Sequence, residues 1–140
     1  MANMNLIQLS KLMDLNKEEF LNQYKNEKIK HITKYDGLEV FMICERIFDM
    51  NEKVKIYFNF NEQKITSISV ARKDAFYLNG KDVYDSFSDF EQHLETVLGK
   101  PKKFYGKRYK KFWKTNFCII RHEIINRFEQ QEELVLLPLN

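Results

Sequence analysis

The feature that most constrains this chain is a change of hydrophobic period near residue 28. Before it, apolar residues recur at helical spacing. After it they alternate with polar ones through residue 72, the period of a half-buried strand. Asp36-Gly37 interrupts the alternation with a strong hairpin signal, because both positions of such a turn want positive φ. Asn51-Glu52 and residues 61–63 interrupt it again. Four strands follow from this reading: 28–35, 38–48, a third carrying Val54, Ile56, Phe58 and Phe60 on one face, and 64–72, with Ile68 and Val70 on one face. Short polar turns between successive strands predict an antiparallel meander. In the second strand Leu38, Val40, Met42 and Cys44 share one face, and Phe41 and Ile43 the other. Apolar residues on both faces predict a central strand covered on both sides.

Helices are expected on either side of the meander. Leu6, Leu9, Leu12 and Met13 stand at near-helical spacing. Asn16 and Glu19 have capping-box spacing, and Leu15 and Phe20 the spacing of a hydrophobic staple, so a helix is predicted over 17–26. A looser stretch, 73–85, contains the turn pair Asn79-Gly80. Ser86 or Ser88 then caps a helix whose stripe is Phe87, Phe90, Leu94, Val97 and Leu98, ended by Gly99 and Pro101. Beyond it, residues 112–115, 117–125 and the apolar tail 132–139 read as two or three further strands. The expected fold is a single α+β domain over residues 1–140, with an antiparallel sheet of about six strands and two or three helices in the order α-ββββ-α-ββ(β).

A chain of 140 residues with twelve Phe and seven Tyr can bury a core without disulfide or metal staples. Cys44 and Cys118 both lie in apolar runs and are expected as buried free thiols. The first residues lack a basic stretch followed by a long apolar one, as a signal peptide requires, and no apolar run reaches membrane-spanning length. A cytoplasmic location is expected.

The formal charge is only +3, but its distribution is uneven. Residues 100–114, KPKKFYGKRYKKFWK, hold seven Lys, one Arg and no acid; without those eight, fifteen basic residues face twenty acidic ones. A mildly acidic body thus carries one basic segment interleaved with aromatics. Lys102, Lys103, Tyr105, Lys107, Arg108, Tyr109, Lys110 and Lys111 are its candidate partner-binding residues. Three readings compete. The segment is a solvated edge strand whose lysines discourage aggregation; it is a surface for an acidic protein; or it is a contact for nucleic acid, with stacking rings. The modest total charge and the lack of a nucleic-acid-binding motif weigh against the last.

Signals for catalysis are lacking. His31, His93 and His122 share no metal-ligand spacing, and C-x-x-C and H-E-x-x-H are absent. There is no G-x-S-x-G elbow and no glycine-rich phosphate loop. Cys118 and His122 fall on one strand face about 13 Å apart, beyond the reach that activates a thiol. Glu18-Glu19 and Glu132-Glu133 read as solvated charges. No catalytic residue, metal or cofactor is expected.

The helix exit Leu98-Gly99-Lys100-Pro101, the strand around Trp113-Lys114-Thr115, the run 117–125 and the closing strand after Glu132-Glu133 resemble the small α+β immunity proteins of bacterial polymorphic and contact-dependent toxin systems. The likeness covers mostly residues 86–139. It implies a non-enzymatic inhibitor that binds one cognate toxin domain in the cytoplasm, with no membrane association. Immunity proteins against nucleases are commonly acidic, whereas the concentrated charge here is basic. The element order is also similar to that of specialised secretion chaperones, which are usually acidic dimers. A small nucleic-acid-binding module using residues 100–114 is the further alternative.

Overall fold

The computed structural model describes residues 4–50, 52–104 and 106–139. Two helices, α1 (Leu6–Lys11) and α2 (Lys17–Gln23), precede strands β1 (Lys30–Tyr35), β2 (Leu38–Arg46), β3 (Lys53–Asn61) and β4 (Lys64–Arg72). Helices α3 (Asp74–Leu78) and α4 (Val83–Leu98) then lead into β5 (Lys102–Phe104), β6 (Lys107–Lys114), β7 (Cys118–Arg127) and β8 (Glu129–Pro138). The eight strands form one sheet in the order β1-β2-β3-β4-β8-β7-β6-β5. Every strand pairing is antiparallel.

The first meander matches the expectation drawn from its alternation. Asp36 and Gly37 both have positive φ (44° and 81°), as a tight hairpin between right-twisted strands demands. Asn5 and Asn16 each close a capping box, with Gln8 and Glu19. Phe20 enters the core, with its ring 4.6 Å from Phe58 and 5.3 Å from Phe60.

The expected six-strand sheet with two or three helices is overturned: among the described residues the sheet has eight strands, with four α-helices and a short 3-10 turn at Leu12–Asp14. The basic segment is itself a hairpin, β5–β6, turning at Gly106 (φ 73°). Along β6 the Trp113 ring is buried and that of Tyr109 half-buried on the face toward α4, while Lys107 and Arg108 nearer the turn stay exposed. The tail is two long strands that reverse at Phe128, a non-glycine residue with φ 61°, so no Gly, Pro or Asn-Gly marks the turn. The predicted loop 73–85 contains α3. Helix α4 starts earlier than expected, capped by Asp82 with Asp85 completing the box. Ser86, expected as a possible cap, lies fully buried inside that helix. Helix α2 ends at Gln23 rather than residue 26.

Helices and sheet share one core on one face of the sheet. Leu6, Leu9, Phe20, Phe90 and Leu94 meet Ile56, Phe58, Ile68, Leu136 and Ile120 there. β2 is therefore covered on one side, not two. Phe41 and Ile43 are buried, Val40 and Met42 half-buried, and Leu38 and Cys44 exposed. Cys118 is a buried free thiol as expected, whereas Cys44 is exposed, because its alternate position turns it away from the helices. No helix among the described residues is long and apolar enough to cross a membrane.

Candidate functional site

The basic hairpin ends one side of the sheet, with β5 outermost. Its base is anchored. Trp113 is buried and donates its indole N–H to the Gly99 carbonyl at the end of α4 (2.9 Å). The Tyr109 ring packs against Tyr84 and Phe87 on α4, at 5.0 and 5.3 Å. Lys111 turns inward, with Nζ 3.7 Å from Glu91 and 5.7 Å from the Phe87 ring. Lys110 reaches Glu123 at 3.9 Å on the other face.

Lys102, Lys103, Lys107 and Arg108 are exposed. The structure brings Lys103, Lys107, Arg108 and Lys111 around a shallow concavity of about 420 Å³ beside Gly106. Lys102 pairs with Phe112 in the register and sits near its ring (5.8 Å), outside that concavity. Of the eight residues singled out in the sequence, Tyr109 and Lys110 hold the hairpin to the body rather than display charge. Tyr105 lies outside the described residues.

Compared with known families, curated proteins and solved structures, the chain shows no significant match to any. The likeness to immunity proteins therefore rests on the residues quoted for it.

Sequence reasoning missed a chain of buried charges that begins beneath α4 and ends at this hairpin. Arg72, on β4, donates to Asp89 (2.9 Å) and to the Ser86 hydroxyl (3.0 Å). Its guanidinium lies 4.1 Å from the Phe76 ring centre and 4.7 Å from that of Phe90. Ser86 donates to Glu132. Glu132 meets His122 Nε2 at 2.6 Å, and His122 Nδ1 meets Glu91 at 3.2 Å. The second Glu91 oxygen faces Lys111. Glu132, expected as a solvated edge charge, has a side chain only 7% exposed. Alternation from Arg72 along β4 and from His122 along β7 points both inward. The β4–β8 register ends at Val70↔Leu134, and continuing it by two residues brings Arg72 level with Glu132.

His122 is fully buried and stacks on Phe87 at 4.0 Å. Burial opposes its charge, but the hydrogen bonds to Glu132 and Glu91 outweigh that effect and raise its pKa above 6.5. A carboxylate on each ring nitrogen favours the doubly protonated imidazolium, with both nitrogens donating, over a free base. The Ser86 proton points at Glu132 and its oxygen accepts from Arg72, so this hydroxyl is not poised as a nucleophile.

A second histidine pair lies at a cleft of about 380 Å³ lined by Asp49, Met50, Asp89, Gln92, His93 and Thr96. His93 Nε2 accepts from the Leu6 N–H (3.4 Å), and its Nδ1 lies 2.8 Å from Asp49. Both ring nitrogens are thereby engaged in tying α1 and the β2–β3 connection to α4. Cys118 and His122 sit on one buried strand face, and the Cys118 sulfur lies near Thr115 Oγ1 (3.7 Å) instead. Burial pushes the Cys118 thiol pKa up, away from the reactive thiolate. No group of three or more His, Cys, Asp or Glu side chains among the described residues is arranged to hold a metal.

Proposed function

We propose that this chain is a non-enzymatic binding protein of the immunity type, which neutralises one toxin domain in the cytoplasm. It docks an acidic face of that domain against the β5–β6 hairpin. The observation carrying this reading is the exposed set Lys102, Lys103, Lys107 and Arg108 near the outer end of a hairpin whose base is locked to α4 through Tyr109 and Trp113. Cations on a pre-ordered support lose little entropy on binding, and a concentrated field of one sign accelerates encounter with an acidic partner. The three residues of β5 are too few to template extended strand addition, and lysines on an edge discourage it. Side-chain electrostatics are the better-supported docking mode.

The test is co-expression with the C-terminal domain of the protein encoded immediately upstream, followed by size-exclusion chromatography with light scattering. The expected product is a one-to-one complex in which the partner is harmless. Charge reversal of Lys102, Lys103, Lys107 and Arg108 to Glu should slow association by about 10- to 100-fold at low salt and leave the unfolding transition in place. An unaltered association rate would remove the hairpin from the interface. Steeply salt-dependent affinity for nucleic acid, with no protein complex, would replace this reading by a nucleic-acid-binding one.

A further inference from the structure

The two hairpins that follow α4 turn at the same end of the sheet. Among the described residues β6 pairs with β7 as far as Lys110↔Glu123, and β4 with β8 as far as Val70↔Leu134. Beyond these rungs β7 and β8 pair only with each other, from Ile124↔Glu132 to Arg127↔Glu129. Residues 124–132 thus form a two-stranded finger, of which residues 126–131 are exposed. A single residue reverses it. Phe128 lies between the paired Arg127 and Glu129 with φ 61°, a left-handed conformation that suits Gly or Asn rather than a bulky side chain. Its side chain is also fully exposed, at 114%. The ring adds nothing to the core, and the backbone beneath it is strained. Neither feature benefits this fold, and residues held in such conformations cluster where a protein contacts its ligands.

The charge around the tip defines what it meets. Arg127 and Glu129 face each other across the last rung. Asn126, Gln130 and Gln131 complete the exposed part, so the tip itself has little net charge. Continuing the β6–β7 register past Lys110↔Glu123 brings Arg108 level with Ile125 and Lys107 level with Asn126. The exposed cations Lys103, Lys107 and Arg108, around the concavity beside Gly106, therefore belong to the hairpin next to the finger. One apolar ring, neutral amides around it and cations to one side make up an interface anchor with a polar rim.

We infer that the β7–β8 tip anchors the contact with a protein partner, with Phe128 entering an apolar pocket whose acidic rim faces Lys103, Lys107 and Arg108. This inference rests on the proposed docking of an acidic toxin domain and names the residue that retains it. The cations set the rate of encounter, and the ring sets the lifetime of the complex. The finger loses little entropy on docking, because its ladder is already formed.

The test uses the full chain and the C-terminal domain of the protein encoded immediately upstream, with binding rates followed by surface plasmon resonance. Phe128→Asn should speed dissociation about 30-fold or more and leave the association rate within about twofold, the reverse of the charge-reversal variant of the β5–β6 hairpin. Its unfolding midpoint should rise, since Asn accepts left-handed backbone. Phe128→Tyr keeps the ring and should keep the complex. Tyr35→Ser, at an exposed ring on the β1–β2 turn at the opposite end of the sheet, should change neither rate. A complex that dissociates no faster with Phe128→Asn would overturn the anchor and leave the immunity reading standing, whereas no complex at all would remove both. A lowered unfolding midpoint would overturn it too, by showing that Phe128 serves the chain's own fold. So would a dimer of the free chain, or an affinity for nucleic acid, that Phe128→Asn abolishes, because the ring would then belong to that contact.

Discussion

At the scale of single residues, His122 has the largest energetic consequence. It is the cation between two buried carboxylates, so removing it leaves Glu132 and Glu91 facing each other without compensation. His122→Phe keeps an aromatic ring against Phe87 and should still destabilise the fold by about 3–5 kcal/mol near neutral pH, the cost of breaking a buried charge pair. The pH dependence has a definite sign. The folded pKa lies above the ordinary 6.5, so the contribution of His122 is fully present below that value. It is lost as pH rises through the folded pKa. Chemical denaturation of the native protein across pH 5 to 9 should show declining stability on the alkaline side of this range. The His122→Phe variant should lack that decline, and parallel profiles would show that His122 is not charged in the fold.

At the scale of elements, the hairpins differ in how strongly their turns specify them. The β1–β2 turn depends on Gly37, whose φ is +81°, and an added Cβ would come within 2.5 Å of the Glu62 carboxylate. Gly80, at φ +82°, has open space around the same position. Gly37→Ala should cost about 1–2 kcal/mol from the left-handed backbone plus the displacement of Glu62. Gly80→Ala should pay the backbone cost alone. Comparing the two by urea unfolding separates the terms, and equal losses would show that Glu62 swings aside freely. The β7–β8 hairpin instead turns at Phe128, against the preference of its backbone. The pairing from Cys118↔Pro138 to Arg127↔Glu129 compensates, so there ladder and core specify the turn rather than the reverse.

At the scale of the whole molecule, the element order repeats: two helices and a four-strand meander, then two helices and a second four-strand meander. The two meanders join edge to edge through β4 and β8, at Ile68↔Leu136, Ser69↔Val135 and Val70↔Leu134. The last strand is thus the seam of the sheet. Truncation after Phe128 removes that seam, Leu134 and Leu136 from the core, and Glu132 from the charge chain. It should abolish the single cooperative thermal transition followed by circular dichroism, although most of the chain is retained. A truncated chain that still melted cooperatively would show that the first meander and its helices fold alone.

How much of this was legible in the sequence depended on the distance between the residues involved. The first meander, the Asn16–Glu19 cap, the staple of Leu15 and Phe20 and the glycine end of α4 are decided by neighbours within about four positions, where periodicity and turn preferences act. The basic residues of the hairpin were legible as a charge run for the same reason. Its strands were less so, because Lys111 falls between the inward-facing rings of Tyr109 and Trp113 and hides the alternation they carry. The position of β8 beside β4 and the one-sided cover of β2 were not legible. Neither was the meeting of Arg72, Ser86, Glu91, His122 and Glu132. These join residues tens of positions apart, and their energies come from desolvation and long-range pairing, which exist only once the sheet has closed over its helices. By itself, then, the sequence determined the local conformations and the sign of the surface charge. Tertiary structure decided which charges were buried together and which edge was left open.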